Sequence, residues 1–210
     1  MSSGASPPPR GSGSAAELVR RFPSLRPPVS TAGAAVTIVL RDGRSDVEAL
    51  LIERTVSPSD PASGQVALPG GRVDERDGSL AATAVRELRE EVGLSAEDLD
   101  GPPRFVRCTP ASRFGLTVGV FAAELAAAAR PPAAESPEEV AHVFWLPRGA
   151  LLTGRAVERS DRGQPRTVLA TVHEGHIVWG FTRRVLRDFF DLPAEDPAAG
   201  PVLPPRPPSS

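Results

Sequence analysis

Proline limits where this 210-residue chain can form a packed domain, because it is concentrated at both ends. Six of the 24 prolines lie in the first 30 residues, and seven more lie between Pro193 and Pro208. Both ends are also rich in Ser, Gly and Ala, and such segments bury too little apolar surface to offset the entropy lost on folding. We therefore expect a disordered leader at residues 1–31, one folded domain at residues 32–191 and a disordered tail at residues 192–210.

The charge balance and the missing residue types exclude several functions. The formal net charge is −2, so the chain has no overall positive field for nucleic acid or an anionic membrane. It contains no Lys, which excludes a Schiff base and a Walker-type phosphate loop. Cys108 is the one cysteine, which excludes an intrachain disulfide, and we expect it to be a small buried side chain. The sequence has neither a long apolar run nor a signal-peptide pattern, so we expect a cytoplasmic protein without nucleic-acid or membrane partners.

The order of periodic segments predicts an α/β fold. Strands and two helices alternate, as in a sandwich in which helices cover a sheet. The first helix has Ser79 as its cap and ends at Gly93, and a late hairpin turns at Glu174-Gly175. The predicted strands are 34–40, 47–53, 105–108, 116–121, 140–146, 167–173 and 177–179, and the predicted helices are 79–92 and 181–190. Residues 65–68 form a short apolar piece.

The helix at residues 79–92 carries three glutamates close together. Glu87, Glu90 and Glu91 stand at i, i+3 and i+4, which places them within about 100° of arc and about 6 Å along the helix axis. Their mutual repulsion is costly unless a cation lies among them, and oxygen ligands suit Mg²⁺ or Mn²⁺. A solvated helix face with an ordinary Arg86–Glu90 pair is the alternative interpretation. The preceding Gly70-Gly71 turn favours a site, because glycine lets the backbone approach a ligand closely.

These residues resemble the Nudix box, Gly-x5-Glu-x7-Arg-Glu-U-x-Glu-Glu-x-Gly-U, where U is aliphatic. Residues Arg86 to Leu94 match every defined position. Counted from Gly71, Asp77 replaces the first glutamate, and eight residues instead of seven separate it from Arg86. The resemblance implies a Nudix-type α/β/α sandwich with a mixed β-sheet and a loop-helix-loop metal site.

A second pattern resembles the coenzyme A pyrophosphatase branch of the Nudix hydrolases. Gly70-Gly71-Arg-Val-Asp74-Glu-Arg-Asp77 and Thr83-Ala-Val-Arg86-Glu87 fit that branch, as do the stretches 50–55, 64–71 and 177–182. The second arginine of the upstream pattern is absent, and Ser59 stands near its place. This departure puts recognition of the 3′-phosphate of coenzyme A in doubt, and Arg113 is a candidate replacement.

The resemblance implies that water attacks a diphosphate whose oxygens are neutralised by a divalent metal, Mg²⁺ or Mn²⁺. It implies that Arg86 orients a glutamate rather than touching the substrate. The general base stays open between Glu87, Glu138 and Glu139, and the last two also fit a solvated loop. The implied metal ligands are Glu87, Glu90, Glu91 and the Gly71 carbonyl; the catalytic candidates are Glu87, Glu90, Glu91 and Glu139; the substrate-binding candidates are Arg54, Gly70, Gly71 and Arg113.

The remaining polar and aromatic residues have structural interpretations. Asp74 and Asp77 are typical of turns, and Arg54 can pair either with the helix carboxylates or with phosphate. His173 and His176 flank the late turn, so we expect them at the surface. Trp145 and Trp179 are expected in the core rather than stacked on an adenine, and His142 completes no ligand pattern.

The sequence therefore predicts a metal-dependent hydrolase that cleaves a pyrophosphate linkage in a nucleoside-diphosphate-linked metabolite, with coenzyme A or a derivative as the leading substrate. ADP-ribose, a nucleotide sugar or a nucleoside triphosphate is the alternative substrate. A non-catalytic Nudix-fold regulator that binds such a ligand is the alternative of another class. The expected partner is a small nucleotide-like pyrophosphate, and a homodimer is possible because Nudix proteins often dimerise.

Overall fold

The computed structural model describes residues 13–57, 64–111, 115–161 and 164–194. In these residues the helices are α1 (Ala15–Arg20), α2 (Leu80–Val92) and α3 (Gly180–Phe189). The strands are β1 (Ala34–Asp42), β2 (Val47–Arg54), β3 (Val66–Ala67), β4 (Gly70–Arg72), β5 (Arg104–Ala111), β6 (Leu116–Glu124), β7 (Val140–Pro147), β8 (Arg155–Asp161), β9 (Gln164–His173) and β10 (His176–Trp179).

The main sheet is mixed and is centred on β1. Strand β1 runs parallel to β6 and antiparallel to β2, while β5 extends the sheet beyond β6 and β7 extends it beyond β2. The short β4 also pairs with β1, with Val36 opposite Gly70 and Ala35 opposite Gly71. Strands β8, β9 and β10 form a separate antiparallel sheet. The sheet therefore holds the paired glycines against its central strand.

Helices cover both faces of the main sheet. On one face Ile38 and Leu40 of β1 pack in a core with residues of α1 and α3. On the other face Val39 packs with Leu88 and Val92 of α2. A strand that is apolar on both faces is typical of a sheet covered on both sides. The predicted α/β/α sandwich with a mixed sheet is confirmed.

Helix α2 begins and ends where the sequence predicts. The Ser79 hydroxyl accepts a hydrogen bond from the Ala82 N–H at the start of the helix. Gly93 ends the helix with φ 71°, in the left-handed region that glycine adopts without a steric cost. The late hairpin also turns as predicted, with positive φ at Glu174 and Gly175.

The expected start of the folded domain at residue 32 is too late. Ser14 caps α1 in a reciprocal capping box with Glu17, and α1 buries Leu18 and Val19 in the same core as α3. Composition averaged over 31 residues hides this single amphipathic turn and a half, because proline-rich sequence surrounds it. The rest of the predicted leader, residues 1–12, and the tail from residue 195 lie outside the described residues.

Three strands are absent from the sequence prediction, and one of them, β3, lies in the apolar piece at residues 65–68. Strand β4 contains the Gly-Gly pair, and glycine is disfavoured in strands, so pattern alone does not reveal it. Strand β8 is rich in charged residues and lacks strict apolar alternation. In the described part of the chain, no helix combines the length and the apolar character needed to cross a bilayer.

Candidate active site

The backbone of Gly70 lies so close to β1 that a residue with a Cβ does not fit there. Gly70 has φ 148°, and a Cβ at this position would lie 2.3 Å from the Ala35 carbonyl oxygen and 2.6 Å from the Val36 Cα. These distances are far below van der Waals contact with backbone atoms that cannot move aside. The bend points the Gly70 N–H at α2, where it donates a 2.8 Å hydrogen bond to Glu91.

Glu91 is a buried carboxylate with little compensating charge. Its side chain is 2% exposed, and the nearest Arg54 nitrogen, Nη1, is 3.7 Å from Oε1. Its pKa is raised to about 8, mainly by burial and in part by repulsion from Glu87 and Glu139, against the opposing effects of the Gly70 N–H and Arg54. A carboxylate in this state gains free energy from any cation that enters beside it.

Glu87 lies one turn before Glu91 and approaches the second glycine. A Cβ at Gly71 would lie 2.5–2.7 Å from the three carboxylate atoms of Glu87, so only glycine leaves them this space. Burial raises the pKa of Glu87, while the neighbouring Arg86 guanidinium opposes the rise. The two carboxylates and the Gly-Gly backbone therefore meet in one place.

Arg86 organises a different set of carboxylates. It donates to both oxygens of Asp77, at 3.1 and 3.0 Å, and to the Arg72 carbonyl at 2.9 Å. It also donates to Glu87 at 2.8 Å and to Glu90 at 2.9 Å. Arg86 thus ties the loop after β4 to α2, which agrees with its expected positioning role.

Asp77 is part of this scaffold. Its side chain is 5% exposed and also accepts hydrogen bonds from the Thr83 hydroxyl and the Asp74 N–H, each 2.9 Å long. The hydrogen bonds from Arg86 are the main reason that the pKa of Asp77 is lowered. Asp74 in turn accepts the Arg76 N–H and forms a tight turn. These contacts agree with the predicted turn-forming roles of Asp74 and Asp77.

Glu90 differs from its two helical neighbours. Its side chain is 53% exposed, and its contact in this region is the i,i+4 pair with Arg86. The three glutamates that the sequence groups together therefore divide into a buried pair, Glu87 and Glu91, and an exposed member tied to the scaffold.

The loop before β7 distinguishes the two remaining base candidates. Glu139 is exposed, yet its charge contributes to the raised pKa of both Glu87 and Glu91. The Thr55 N–H donates to the Glu139 carbonyl at 2.9 Å, which fixes this loop beside the end of β2. Glu138 is also exposed, which agrees with the alternative interpretation that it lies in a solvated loop. The structure therefore brings Glu139 towards the buried pair.

The donor chemistry of the region fits a hard divalent cation. Glu87, Glu91 and Glu139 offer only oxygen atoms, and their mutual repulsion is the electrostatic state that such a cation relieves. Within the described residues, no three His, Cys, Asp or Glu side chains are already gathered closely enough to hold an ion. Binding at this point therefore requires side-chain rotation, which is available to the exposed Glu139 and Glu90.

Several sequence expectations concern residues outside this cluster. His173 and His176 are half-buried, so the expected surface placement is wrong. His176 hydrogen-bonds Glu53 at 2.6 Å and stacks on Phe144 with centroids 3.9 Å apart. No sequence signal reveals this contact, because 123 positions separate the histidine from the glutamate. Arg113 lies outside the described residues.

The two tryptophans and Cys108 are only partly buried, whereas the sequence predicts them in the core. Trp145 and Trp179 are half-buried, and the Arg41 guanidinium lies 4.1 Å from the Trp145 ring centroid. Cys108 is partly buried, and burial raises the pKa of its thiol, which leaves it a poor nucleophile. A groove of about 440 Å³ lies near the start of α2, lined by Leu25, Ala82 and Val85 among others, and none of the carboxylates discussed above lines it.

The part of the chain that contains the carboxylate cluster is similar to known proteins. A family model described as the NUDIX domain matches residues 31–167. The uncharacterized Nudix hydrolase NudL of Cronobacter sakazakii is 33% identical over 181 residues, which cover 81% of this chain and 90% of that protein. NudL of Citrobacter koseri is 34% identical over 183 residues, with 82% and 91% covered. A NUDIX hydrolase structure from Alicyclobacillus acidocaldarius covers 76% of this chain and 91% of its own, at 19% identity and a TM-score of 0.49.

Proposed function

Because the chain belongs to the Nudix hydrolase family, we propose that it uses Glu87, Glu90, Glu91 and Glu139 to hydrolyse a pyrophosphate linkage in a coenzyme A-type substrate. Nudix pyrophosphohydrolase activity follows from the family, and Nudix hydrolases generally need a divalent metal. The assignment to these residues is supported above all by Glu91, a carboxylate that is 2% exposed beside the Gly-Gly bend and has a pKa raised to about 8.

The reaction adds water to one phosphorus atom of a diphosphate and breaks the bridging P–O bond, which leaves two phosphate monoesters. A divalent cation, when bound, supplies positive charge to the diphosphate oxygens. Glu87 and Glu91 would hold it, with Glu90 released from Arg86 and the Gly71 carbonyl as further ligands. Mg²⁺ and Mn²⁺ both suit this oxygen donor set.

The remaining residues position the reacting groups. Glu139 would accept the proton of the attacking water, because it is exposed and lies within electrostatic reach of the buried pair. Arg54, whose side chain is partly exposed and lies 3.7 Å from Glu91, would bind a substrate phosphate oxygen. Gly70 and Gly71 would allow the diphosphate to approach the backbone closely. Arg86 would keep Glu87 oriented without touching the substrate.

Coenzyme A is the leading substrate because of the branch pattern around Asp77. The Asp77, Thr83 and Arg86 side chains form one network, so the branch residues act together in this chain. ADP-ribose, a nucleotide sugar and a nucleoside triphosphate present the same diphosphate to the same cluster, and they are the competing outcomes of a substrate screen.

The test is a screen of purified protein with Mg²⁺ or Mn²⁺ against coenzyme A, its dephospho form, ADP-ribose and nucleoside triphosphates. We expect coenzyme A to give a phosphopantetheine product and adenosine 3′,5′-bisphosphate. Glu90→Gln and Glu91→Gln should each lower the rate by about 10³-fold or more, because a metal ligand is lost. Glu97→Gln is the matched control, since Glu97 is exposed and lies outside the cluster.

Other outcomes are equally informative. Unchanged rates in both variants would contradict the metal assignment. Hydrolysis of a different diphosphate would keep the chemistry and change the substrate. Ligand binding without turnover of any compound would support the regulator alternative.

A further inference from the structure

The β7 loop, residues 133–139, is attached to the end of α2. The last carbonyl groups of an α-helix have no partner within the helix, so other groups must satisfy them. The loop supplies a donor to each of the last three: the Ser136 hydroxyl binds the Glu90 carbonyl at 3.0 Å, the Glu135 N–H binds the Glu91 carbonyl at 3.1 Å, and the Ala133 N–H binds the Val92 carbonyl at 3.2 Å. The loop is therefore fixed to the same turn of α2 that carries Glu90 and Glu91.

Thr55 attaches the same loop to the main sheet. It follows directly after β2, whose last residue, Arg54, has its guanidinium 3.7 Å from Glu91. The Thr55 N–H donates to the Glu139 carbonyl at 2.9 Å, and the Thr55 hydroxyl donates to the Pro137 carbonyl at 2.8 Å. One residue thus holds the loop at two points, once with its backbone and once with its side chain.

The backbone of Glu139 is fixed on both sides. Its N–H donates to the Ser136 carbonyl at 2.8 Å, and the N–H of Val140 donates to the same carbonyl at 2.8 Å. Its own carbonyl accepts the Thr55 N–H. The side chain of Glu139 is exposed, so its carboxylate can reach a water molecule while the backbone stays in place. A general base needs this combination, because a displacement of about 1 Å can cost about 10²-fold in rate.

We propose that Thr55 is a positioning residue, whose hydroxyl holds the β7 loop so that the Glu139 carboxylate faces the buried pair, Glu87 and Glu91. The proposal rests on the proposed function, in which Glu139 accepts the proton of the attacking water. Because Thr55 acts through Glu139, its contribution belongs to the chemical step and not to the binding of the substrate. A role in folding alone would lower the activity whether or not Glu139 is present.

The first measurement compares kcat and KM of Thr55→Val with those of wild type, on the diphosphate that the substrate screen identifies. Valine has the shape of threonine without the hydroxyl, so the variant loses the bond to Pro137 and keeps the N–H that binds Glu139. We expect kcat to fall about three- to tenfold, because one neutral hydrogen bond shifts the equilibrium of the loop by about this factor. KM should change less than about twofold.

Two further variants are the controls for the hydroxyl. Thr55→Ser keeps the donor and should stay within about twofold of the wild-type kcat. Thr153→Val removes an exposed hydroxyl that donates to the Ala150 carbonyl at 3.4 Å, and it should change neither kcat nor KM.

The decisive measurement is a double-mutant cycle with Glu139→Gln. In that background the hydroxyl has no base left to align, so Thr55→Val should lower kcat less than about twofold. A loss of the same size with and without Glu139 would overturn the proposal, because it would indicate a general structural role. If Glu139→Gln leaves kcat unchanged, Glu139 is not the base and the proposal fails with that assignment.

Hydrogen exchange measured by mass spectrometry tests the loop without turnover. Thr55→Val should make the amides of residues 135–140 exchange at least about threefold faster, and Thr153→Val should not. If no diphosphate is hydrolysed, the proposed function fails, and faster exchange in Thr55→Val alone would still support a loop held by this hydroxyl. Unchanged exchange in that variant would overturn the positioning role.

Discussion

Two neighbouring groups of carboxylates on and beside α2 are in opposite electrostatic states. Around Arg86, the carboxylate of Asp77 accepts four hydrogen bonds and has a pKa below its ordinary value. One turn further on, Glu91 is equally buried, and burial raises its pKa to about 8. The two side chains have similar exposure, 5% and 2%, but the main influence on their pKa differs: hydrogen bonds from Arg86 dominate at Asp77, and burial dominates at Glu91.

The arginine partners of Asp77 and Glu91 explain why the two carboxylates have different roles. Arg86 meets Asp77 with two hydrogen bonds of normal length, whereas Arg54 lies 3.7 Å from Glu91, beyond hydrogen-bonding distance. Asp77 is fully neutralised and holds the loop after β4 in place. Glu91 is less fully neutralised and retains the capacity to bind a cation, and the fixed loop keeps the glycine bend beside Glu91. The following predictions test whether this division is real.

The largest expected effect concerns the two adjacent glutamates before β7. Glu139→Gln should lower kcat by about 10²–10³, because a general base contributes on this scale, while Glu138→Gln should lower it less than about threefold. Steady-state kinetics of the two variants, under the same conditions as wild type, is the measurement. Equal losses in the two variants would show that Glu139 has no special relation to the buried pair.

Arg86→Gln tests the neutralised group. The substitution leaves Asp77 buried without its cation and frees Glu87 and Glu90 to repel each other, so the free energy of unfolding should fall by about 2–4 kcal/mol. Urea denaturation measures the loss. Arg76→Gln removes an exposed arginine from its pair with Asp74 and should have no measurable effect, because that pair is open to solvent. A similar loss of unfolding free energy in both variants would mean that burial of the arginine–aspartate pair does not affect its contribution to stability.

Much of the fold is predictable from the sequence because local signals agree with the packing. Helix α2 combines a serine cap, an apolar stripe and a glycine stop, and each of the five strands predicted in the main sheet forms. Helix α1 is the exception, because its six residues are stabilised by contacts with α3 that only the folded chain makes, such as the stacking of Phe22 on Phe189. Strand β8 is similar, since its partner β9 supplies its hydrogen bonds.

The site is predictable as a group of residues and less so as an arrangement. Helical spacing places Glu87, Glu90 and Glu91 on one side of α2, but it does not tell which of them Arg86 neutralises. The answer depends on Asp77, which lies nine positions before Arg86 in the sequence. In the folded protein, Asp77 accepts two hydrogen bonds from the Arg86 guanidinium.

The smallest effect we predict is a pH-dependent change in stability without metal. The pKa of Glu91 is about 8 in the folded protein, against about 4.3 in an unfolded chain, so the folded state holds a proton that the unfolded state has lost between these values. The stabilising contribution of Glu91 is therefore complete below about pH 4 and is lost as the pH rises to about 8.

Because Gln cannot ionise, Glu91→Gln should be about 2 kcal/mol more stable than wild type at pH 8.5 in EDTA and indistinguishable from it at pH 4. Urea unfolding at both pH values measures the difference. Glu90→Gln, at a half-exposed position, should show little difference at either pH, and a wild-type protein that loses no more stability than Glu91→Gln would contradict an under-neutralised Glu91.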